Sequence, residues 1–442
     1  MSLASALYVA ASGTTASSFE NIRERLPVEW IEQALEATGV ATVRRRRLPA
    51  EQVVWLVLGM ALMRDRPIEE VVSKLDLALP SGEGTVARSA PIQARARLGA
   101  EPMRWLFERC AQTWTSQSAN DNRWRGLALY GMDGTTLRVP DTPQNVAEFG
   151  RAQSVRGESG YPMVRLVAAM ALRSRLLVGV EFGPYAQGEL SYALRLRDGL
   201  PDDSLTVVDR AYFSASWLLG LSGAGRERHW LTRAKSKLRY TVLQAFSDHD
   251  ALVEMKVSPE ARKKDPTLPK TWRMRAITYK HGKHAPQVLF TSLLEPARFP
   301  AAEIVQLYHE RWEMELAYDE LKTDMFQQQV PLRSKSPALV RQELWTSMLL
   351  YNLVRLEMAA VAKVLAVPPN RISFVASFHL IRDEWLWDAV AKPGAIPRHL
   401  THLRESLKRY LLPPRRSDRS YPRAVKIKMS NYARKRPAAN VN

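Results

Sequence analysis

The chain has 442 residues, 46% hydrophobic and 25% charged. That is ordinary for a globular protein with a sizeable core, and long enough for about two to four domains. The formal net charge of +19 points to the phosphate backbone of nucleic acid as partner, with an anionic membrane surface as the other reading. The single cysteine, Cys110, excludes an internal disulfide and a zinc cage built from thiolates, and it fits a reducing cytoplasm. The longest apolar run, Val53–Met63, falls short of the roughly 20 residues a membrane span needs.

Met1–Phe19 lacks a basic leader and does not read as a signal peptide. Residues 1–122 form the first expected domain, helical and DNA-binding. Leu48-Pro49-Ala50-Glu51 starts one helix, with proline suited to the first turn, and Pro67-Ile68-Glu69-Glu70 starts another. After a glycine-bearing loop at 80–84, Arg88–Leu98 gives a short helix carrying Arg95 and Arg97. This pattern fits a helix-turn-helix reader and equally a small bundle whose arginines are merely solvated. The run Arg44-Arg45-Arg46-Arg47 reads as a phosphate-facing patch.

After Asn120-Asp121-Asn122 the pattern changes to strands. Leu127–Met132 is a short apolar run ending at Asp133, and Leu205–Val208 is a second, ending at Asp209. Val164–Met170 and Leu176–Phe182 flank Arg173-Ser174-Arg175 as a hairpin. Helices are expected at 189–198 and 214–222, and a further strand at 230–232. This is an α/β pattern with a mixed sheet covered on both faces. Residues 123–235 are its first part. Residues 236–295 read as a β-rich insertion, with period-two strands at 253–257, 272–279 and 287–291. Residues 296–365 return to the core through one long helix over 301–329 and another over 337–364. Residues 366–442 are C-terminal helices and a basic, proline-rich tail that would be disordered without DNA.

Chemistry concentrates in acids. Asp133 and Asp209 each follow a buried strand, where a side chain points into the crevice at the sheet edge. Two such acids on neighbouring strands could share a hard cation, although either alone could be a turn-forming Asp. On the long helix, at 100° per residue, Tyr308, Arg311, Glu315 and Lys322 fall within an arc of roughly 60°. Flanking apolar stripes turn them inward, while Glu310, Glu313, Glu320 and Asp324 occupy the opposite, solvent-facing side. An inward Glu315 needs partners. A structural pair with Arg311 at i, i+4 is one reading, a metal site completed by the two Asp residues is the other, and Asp319 is the rival acid on that face. Three converging carboxylates would suit two-metal displacement at phosphorus.

The spacing Tyr308-x2-Arg311-x3-Glu315-x6-Lys322 resembles the signature of the insertion-sequence-four family of DDE transposases. Gly131-Met132-Asp133-Gly134-Thr135-Thr136 and Val207-Val208-Asp209-Arg210-Ala211-Tyr212-Phe213 resemble its two aspartate motifs. The likeness extends over roughly residues 30–430, through Arg45–Pro49, Gln93–Gly99, Pro331–Lys335 and Tyr351–Arg355. It implies an RNase H-like mixed-sheet core with a β-rich insertion, and Asp133, Asp209 and Glu315 as catalytic metal ligands for Mg2+, with Mn2+ able to substitute. It implies phosphate contacts from Tyr308, Arg311 and Lys322. Arg210 of the second motif, Trp312 beside the motif arginine, and Arg95 and Arg97 complete the expected DNA-binding set. Plain core packing is the competing reading of Trp312, and Trp230 and Trp272 are candidates to hold a flipped base. The implied activity is cut-and-paste transposition in the bacterial cytoplasm, at the nucleoid. Terminal inverted repeats and target DNA would be the partners, and a homodimer would pair two ends. A nuclease or resolvase without strand transfer, or a DNA-binding descendant without catalysis, are the rivals. No G-x-S-x-G, P-loop or dinucleotide fingerprint is present.

Overall fold

The computed structural model describes residues 25–41, 48–75, 89–154, 157–235, 238–280, 285–327, 331–388 and 396–413. The tetra-arginine run at 44–47, the loop at 80–84 and the tail beyond 413 lie outside the described residues. In chain order the first elements are α1 (Val28–Ala37), α2 (Ala50–Leu62), α3 (Ile68–Lys74), α4 (Ser89–Leu98) and α5 (Glu101–Asp121). Next come β1 (Ala128–Arg138), α6 (Pro143–Phe149), β2 (Arg151–Ser154), β3 (Gly157–Ala171), β4 (Leu177–Pro184), α7 (Glu189–Arg197), β5 (Ser204–Val208), α8 (Ala215–Gly223) and β6 (Arg228–Arg233). Then follow β7 (Thr241–Ser247), β8 (Asp250–Lys256), α9 (Pro259–Lys264), β9 (Thr271–Tyr279), β10 (Gln287–Thr291), α10 (Ala301–Glu310) and α11 (Trp312–Asp319). A π-helical turn (Glu320–Met325), α12 (Pro337–Val364), α13 (Phe374–Asp388) and α14 (Ile396–Leu407) close the order. The chain packs as two units that interleave in sequence. One comprises 1–112, 137–164 and 320–442, the other 113–136 and 165–319.

The second unit is built on a sheet in the order β4–β3–β1–β5–β6–β10–β9–β8–β7. β1, β5 and β6 are parallel, and β10, β9, β8 and β7 continue the sheet antiparallel. Counted along the five core strands the order is 3-2-1-4-5, the RNase H-like arrangement, with four antiparallel strands spliced in before α10. β5 (Ser-Leu-Thr-Val-Val) is buried throughout, as a central parallel strand covered on both faces must be. On one face Tyr130, Met132, Val167, Ala169 and Val208 pack against Tyr192 and Ala193 of α7 and Trp217, Leu218 and Leu221 of α8. Strand alternation sends Gly131, Asp133, Val207 and Asp209 to the other face. There α11 lies so close that a Cβ on Gly131 would stand 2.7 Å from Leu172 and 2.8 Å from Met314. Any larger residue at that crossing would have to displace the Leu172 and Met314 side chains.

The insertion departs from the sequence reading in two places. β7 was not anticipated, because Thr241–Ser247 is an almost wholly exposed edge strand with no apolar alternation to reveal it. α9 is a single turn and a half, capped by the Ser258 hydroxyl accepting from the Ala261 N–H at 3.1 Å. At the insertion's centre Arg275 is wholly buried. It is held by Asp250 through Nε (2.7 Å) and Nη2 (2.5 Å), and it donates to the Phe299 carbonyl at 2.6 Å.

The first unit is organised around α12, whose buried residues run on every side, with α2 and α4 packed against it. α2 is nearly all apolar, so it too must be enclosed. Glu343 of α12 is the polar centre of this unit. It pairs with Arg64 and accepts from the backbone N–H of Arg333 (3.0 Å) and Ser334 (3.0 Å). These charges hold its carboxyl below the usual range in spite of its burial, which by itself would raise it.

Arg95 does not face solvent. It is 8% exposed and donates to Gln342 Oε1 at 3.0 Å and Ser334 Oγ at 3.3 Å, while Arg97 of the same helix is exposed. The helix has two sides, and only its third-turn spacing tells them apart. Arg95→Ala is therefore expected to destabilise the protein by about 2–4 kcal/mol, since it orphans buried partners, and to leave the salt dependence of DNA binding unchanged. Arg97→Ala should show the reverse, lowering the salt slope by about 1 if that guanidinium meets a phosphate. Denaturant melts and DNA titrations at several salt concentrations separate the two.

Candidate active site

The parallel register of β1 and β5 sets Gly131 opposite Val207 and Met132 opposite Val208. One further step sets Asp133 opposite Asp209, both on the face that α11 covers. Asp133 does not end its strand, as the sequence suggested. β1 runs on to Arg138, and Asp133 lies where pairing with β5 stops. Asp209 does end its strand, and its carboxylate accepts from the Arg210 N–H at 2.5 Å to cap a 3-10 turn. The Asp133 carboxylate likewise accepts from the Gly134 N–H at 2.8 Å.

The expected single helix over 301–329 is broken. α10 ends at Glu310, Arg311 makes a tight turn to the Tyr308 carbonyl (3.2 Å), and α11 begins at Trp312. After Asp319 the winding opens to π, with the Phe326 N–H donating to Leu321. A uniform 100° per residue therefore fails before Lys322, which sits on the π turn. That turn belongs to the first unit.

Glu310 and Glu313 were expected to face solvent. Instead the guanidinia of the β3–β4 hairpin take them up: Arg173 holds Glu310 at 2.9 Å, and Arg175 holds the buried Glu313 at 2.6 Å. An acidic stripe on a helix is solvated only if no basic turn packs on it, which spacing alone does not reveal.

Within the second unit, Arg311 joins the acids. Its Nη2 donates to Glu315 Oε1 at 2.8 Å, and its Nη1 stands 3.9 Å from Asp133 Oδ2. Burial, first, and then repulsion from Glu189 and Asp209 lift the Asp133 carboxyl to about 6, against the pull of Gly134 and Arg311. Tyr308 is buried, which raises its phenol, and it feels Asp209, Arg233 and Tyr279. Trp312 is 43% exposed, so core packing is not its role. Asp319 is exposed. Trp230 and Trp272 are both buried, with ring centroids 5.6 Å apart in the core, and neither is open to a base.

Arg210 is exposed, at the rim of a cavity of about 570 Å3 that Arg233, Lys235 and Tyr240 also line. Two residues escaped the sequence reading. Glu189, at the start of α7, pairs with Arg165 at 2.8 Å and packs under Gly134. Tyr318, three residues past Glu315, donates its hydroxyl proton to the Asp133 carbonyl at 2.5 Å. The only signal for Tyr318 was its place on an apolar stripe.

The donor set of Asp133, Asp209 and Glu315 offers carboxylate oxygens alone, which suits a hard divalent cation. Among the described residues no three acidic, histidine or cysteine side chains stand at ligand distance from one point, and Glu315 is held by Arg311 instead. The chemistry of the set, oxygen donors only, fits such an ion, with the Glu315 carboxylate now taken up by Arg311.

Residues 16–108 match the family described as insertion element 4 transposase N-terminal, and residues 125–353 match the transposase DDE domain. Over 415 residues the chain is 39% identical to the transposase InsG for insertion sequence element IS4 of Escherichia coli strain K12, covering 93% of each protein. Among solved structures, the piggyBac transposase in a synaptic complex with hairpin DNA shares 12% identity at a TM-score of 0.44, over 91% of this chain and 84% of that one, too loose a likeness to carry an argument. Two family matches in order, and a relative aligned nearly end to end, show that the chain belongs to the insertion-sequence-four family of DDE transposases, enzymes that cleave DNA.

Proposed function

We propose that this transposase binds the terminal inverted repeats of its element, cleaves the ends by hydrolysis at phosphorus and joins the freed 3′-hydroxyls to target DNA, with Asp133, Asp209 and Glu315 holding Mg2+ or Mn2+. The observation that carries the reading is the β1–β5 register, which puts both aspartates on the face covered by the helix of Glu315. A bound cation pair would supply charge neutralisation at phosphorus and a more acidic water. The chain's own residues do the rest. Asp133 is held by a backbone N–H and a pinned carbonyl, so its carboxylate direction is set before DNA arrives. Arg311 neutralises Asp133 and Glu315 in the resting protein and is free to turn to a phosphate when they take other partners. Tyr308 at the end of α10 and the exposed Trp312 at the start of α11 flank it in the chain, Arg210 offers a second basic contact from the end of β5, and Lys322 is a further candidate to bind phosphate. The net charge of +19 supplies the non-specific attraction.

Two protomers would pair two ends, since both must be cut for the element to move, and the site of action would be the nucleoid. No helix among the described residues is long and apolar enough to cross a membrane. Purified protein, a labelled end duplex and Mg2+ should yield nicked and then joined products. Nicking with no joining, and no preference for the terminal repeat, would favour a nuclease on the same core.

A further inference from the structure

The rung between β1 and β3 at Asp133 contains a third party. The Leu172 N–H donates to the Leu129 carbonyl at 3.0 Å in the second unit, and the Val139 N–H donates to the Pro162 carbonyl at 3.0 Å in the first. Each pair of numbers sums to 301, so the two strands are antiparallel in one register, and that register places Ala168 opposite Asp133. The Tyr318 hydroxyl reaches both groups of this rung: it accepts from the Ala168 N–H at 3.2 Å and donates to the Asp133 carbonyl at 2.5 Å. Tyr318 is 7% exposed and lies one helical turn beyond Glu315, on α11.

We infer that Tyr318 is a positioning residue that sets the spacing of Asp133 and Glu315 for a shared divalent cation. The inference rests on the reading that these two acids are ligands. A ligand pair on a strand and a helix is only as well spaced as the contact that locks strand to helix. Packing of Met314 over Gly131 fixes how closely α11 approaches but lets it slide along the strand. A hydroxyl bonded to the backbone of Asp133 itself removes that freedom, since it is directional at both ends. Tyr318 therefore connects Asp133 to Glu315 through three residues of one helix, a rigid path. The outer support of a ligand is typically worth about 10- to 100-fold in metal affinity.

Tyr318→Phe keeps the ring and removes the hydroxyl that bonds the Ala168 N–H and the Asp133 carbonyl. Binding of Mn2+ to the full-length protein without DNA, read by the loss of the free aqueous Mn2+ spectrum in electron paramagnetic resonance, should weaken about tenfold. Affinity for a terminal-repeat duplex in the absence of cation should stay within about twofold, since the hydroxyl touches no exposed surface. Incorporation of 4-aminophenylalanine at position 318, which restores a donor at the same reach, should recover most of the Mn2+ affinity. That rescue also covers the case in which the Phe variant folds poorly. Wild-type Mn2+ affinity in Tyr318→Phe, with loss of binding in Asp133→Ala, would overturn the role of Tyr318 and leave the ligand reading standing. Undiminished Mn2+ binding in Asp133→Ala would overturn both.

Discussion

Asp133→Asn should abolish cleavage and joining, by on the order of 10³-fold or more, while making the cation-free protein more stable. The loss of activity follows from removing one of three carboxylates on which charge neutralisation at phosphorus depends. The gain in stability follows from the site's own electrostatics. Burial lifts the Asp133 carboxyl from 3.8 to about 6, so the folded protein prefers this group protonated. A raised carboxyl contributes stability that is present below pH ~4 and is lost as the pH climbs through ~6. At neutral pH the charged form is therefore a burden, eased but not cancelled by Arg311.

Since a fifth of the side chain is exposed (22%), water screens part of that burden, and about 1–2 kcal/mol is the expected gain. Melting in chelator across pH 4–7.5 reads it. The variant and wild type should melt together near pH 4 and diverge by a few degrees above pH 6.5. Equal melting temperatures throughout would mean that Asp133 bears no such load. End-duplex binding without cation, measured beside it, should be preserved, which separates lost chemistry from lost folding.

The second large effect concerns stability alone. Asp250→Ala should cost about 3–5 kcal/mol, because it strands the charge of a guanidinium with no exposed surface. Arg275 is satisfied by both Asp250 oxygens and by the Phe299 and Leu293 carbonyls, of which only the carboxylate carries a compensating charge. Replacing both partners by apolar residues, Asp250→Leu with Arg275→Met, should return most of the loss, leaving the Phe299 and Leu293 carbonyls without the guanidinium. Denaturant titration of the three variants is the measurement. A single-variant loss below about 1 kcal/mol would show that water reaches Arg275. The pair also has a reach beyond the insertion, because the Phe299 carbonyl precedes α10, the helix that brings Tyr308 and Arg311 to the site. Activity should fall with Asp250→Ala at temperatures where the protein is still largely folded.

Some of the site was legible in the residues because it depends on local pattern. Apolar runs ending in Asp133 and Asp209 read as buried strands, and β1 and β5 formed where those runs stand, although β1 continues past Asp133 to Arg138. β8, β9 and β10 were readable from alternation for the same reason. Helical phase was a weaker guide. It set Glu315 beside Arg311, and the ion pair at i, i+4 is there, but the Glu315 side chain is only partly buried. It could not anticipate the π turn under Lys322, nor the arginines that bind the outer acids, since both answer to segments distant in sequence.

What the sequence determined by itself was the chemistry available: three motif acids in order, a basic surface, one thiol, and alternating strands that can close only as a covered sheet. The tertiary structure decided which of those groups meet. It buried Arg95 and exposed Trp312, placed Trp230 in the core, put Arg311 between Asp133 and Glu315, and threaded the Tyr318 hydroxyl into the rung beside Asp133. The physical reason is that burial and pairing are properties of facing surfaces. Periodicity tells which side of an element turns inward, but the partner it meets there comes from a distant part of the chain.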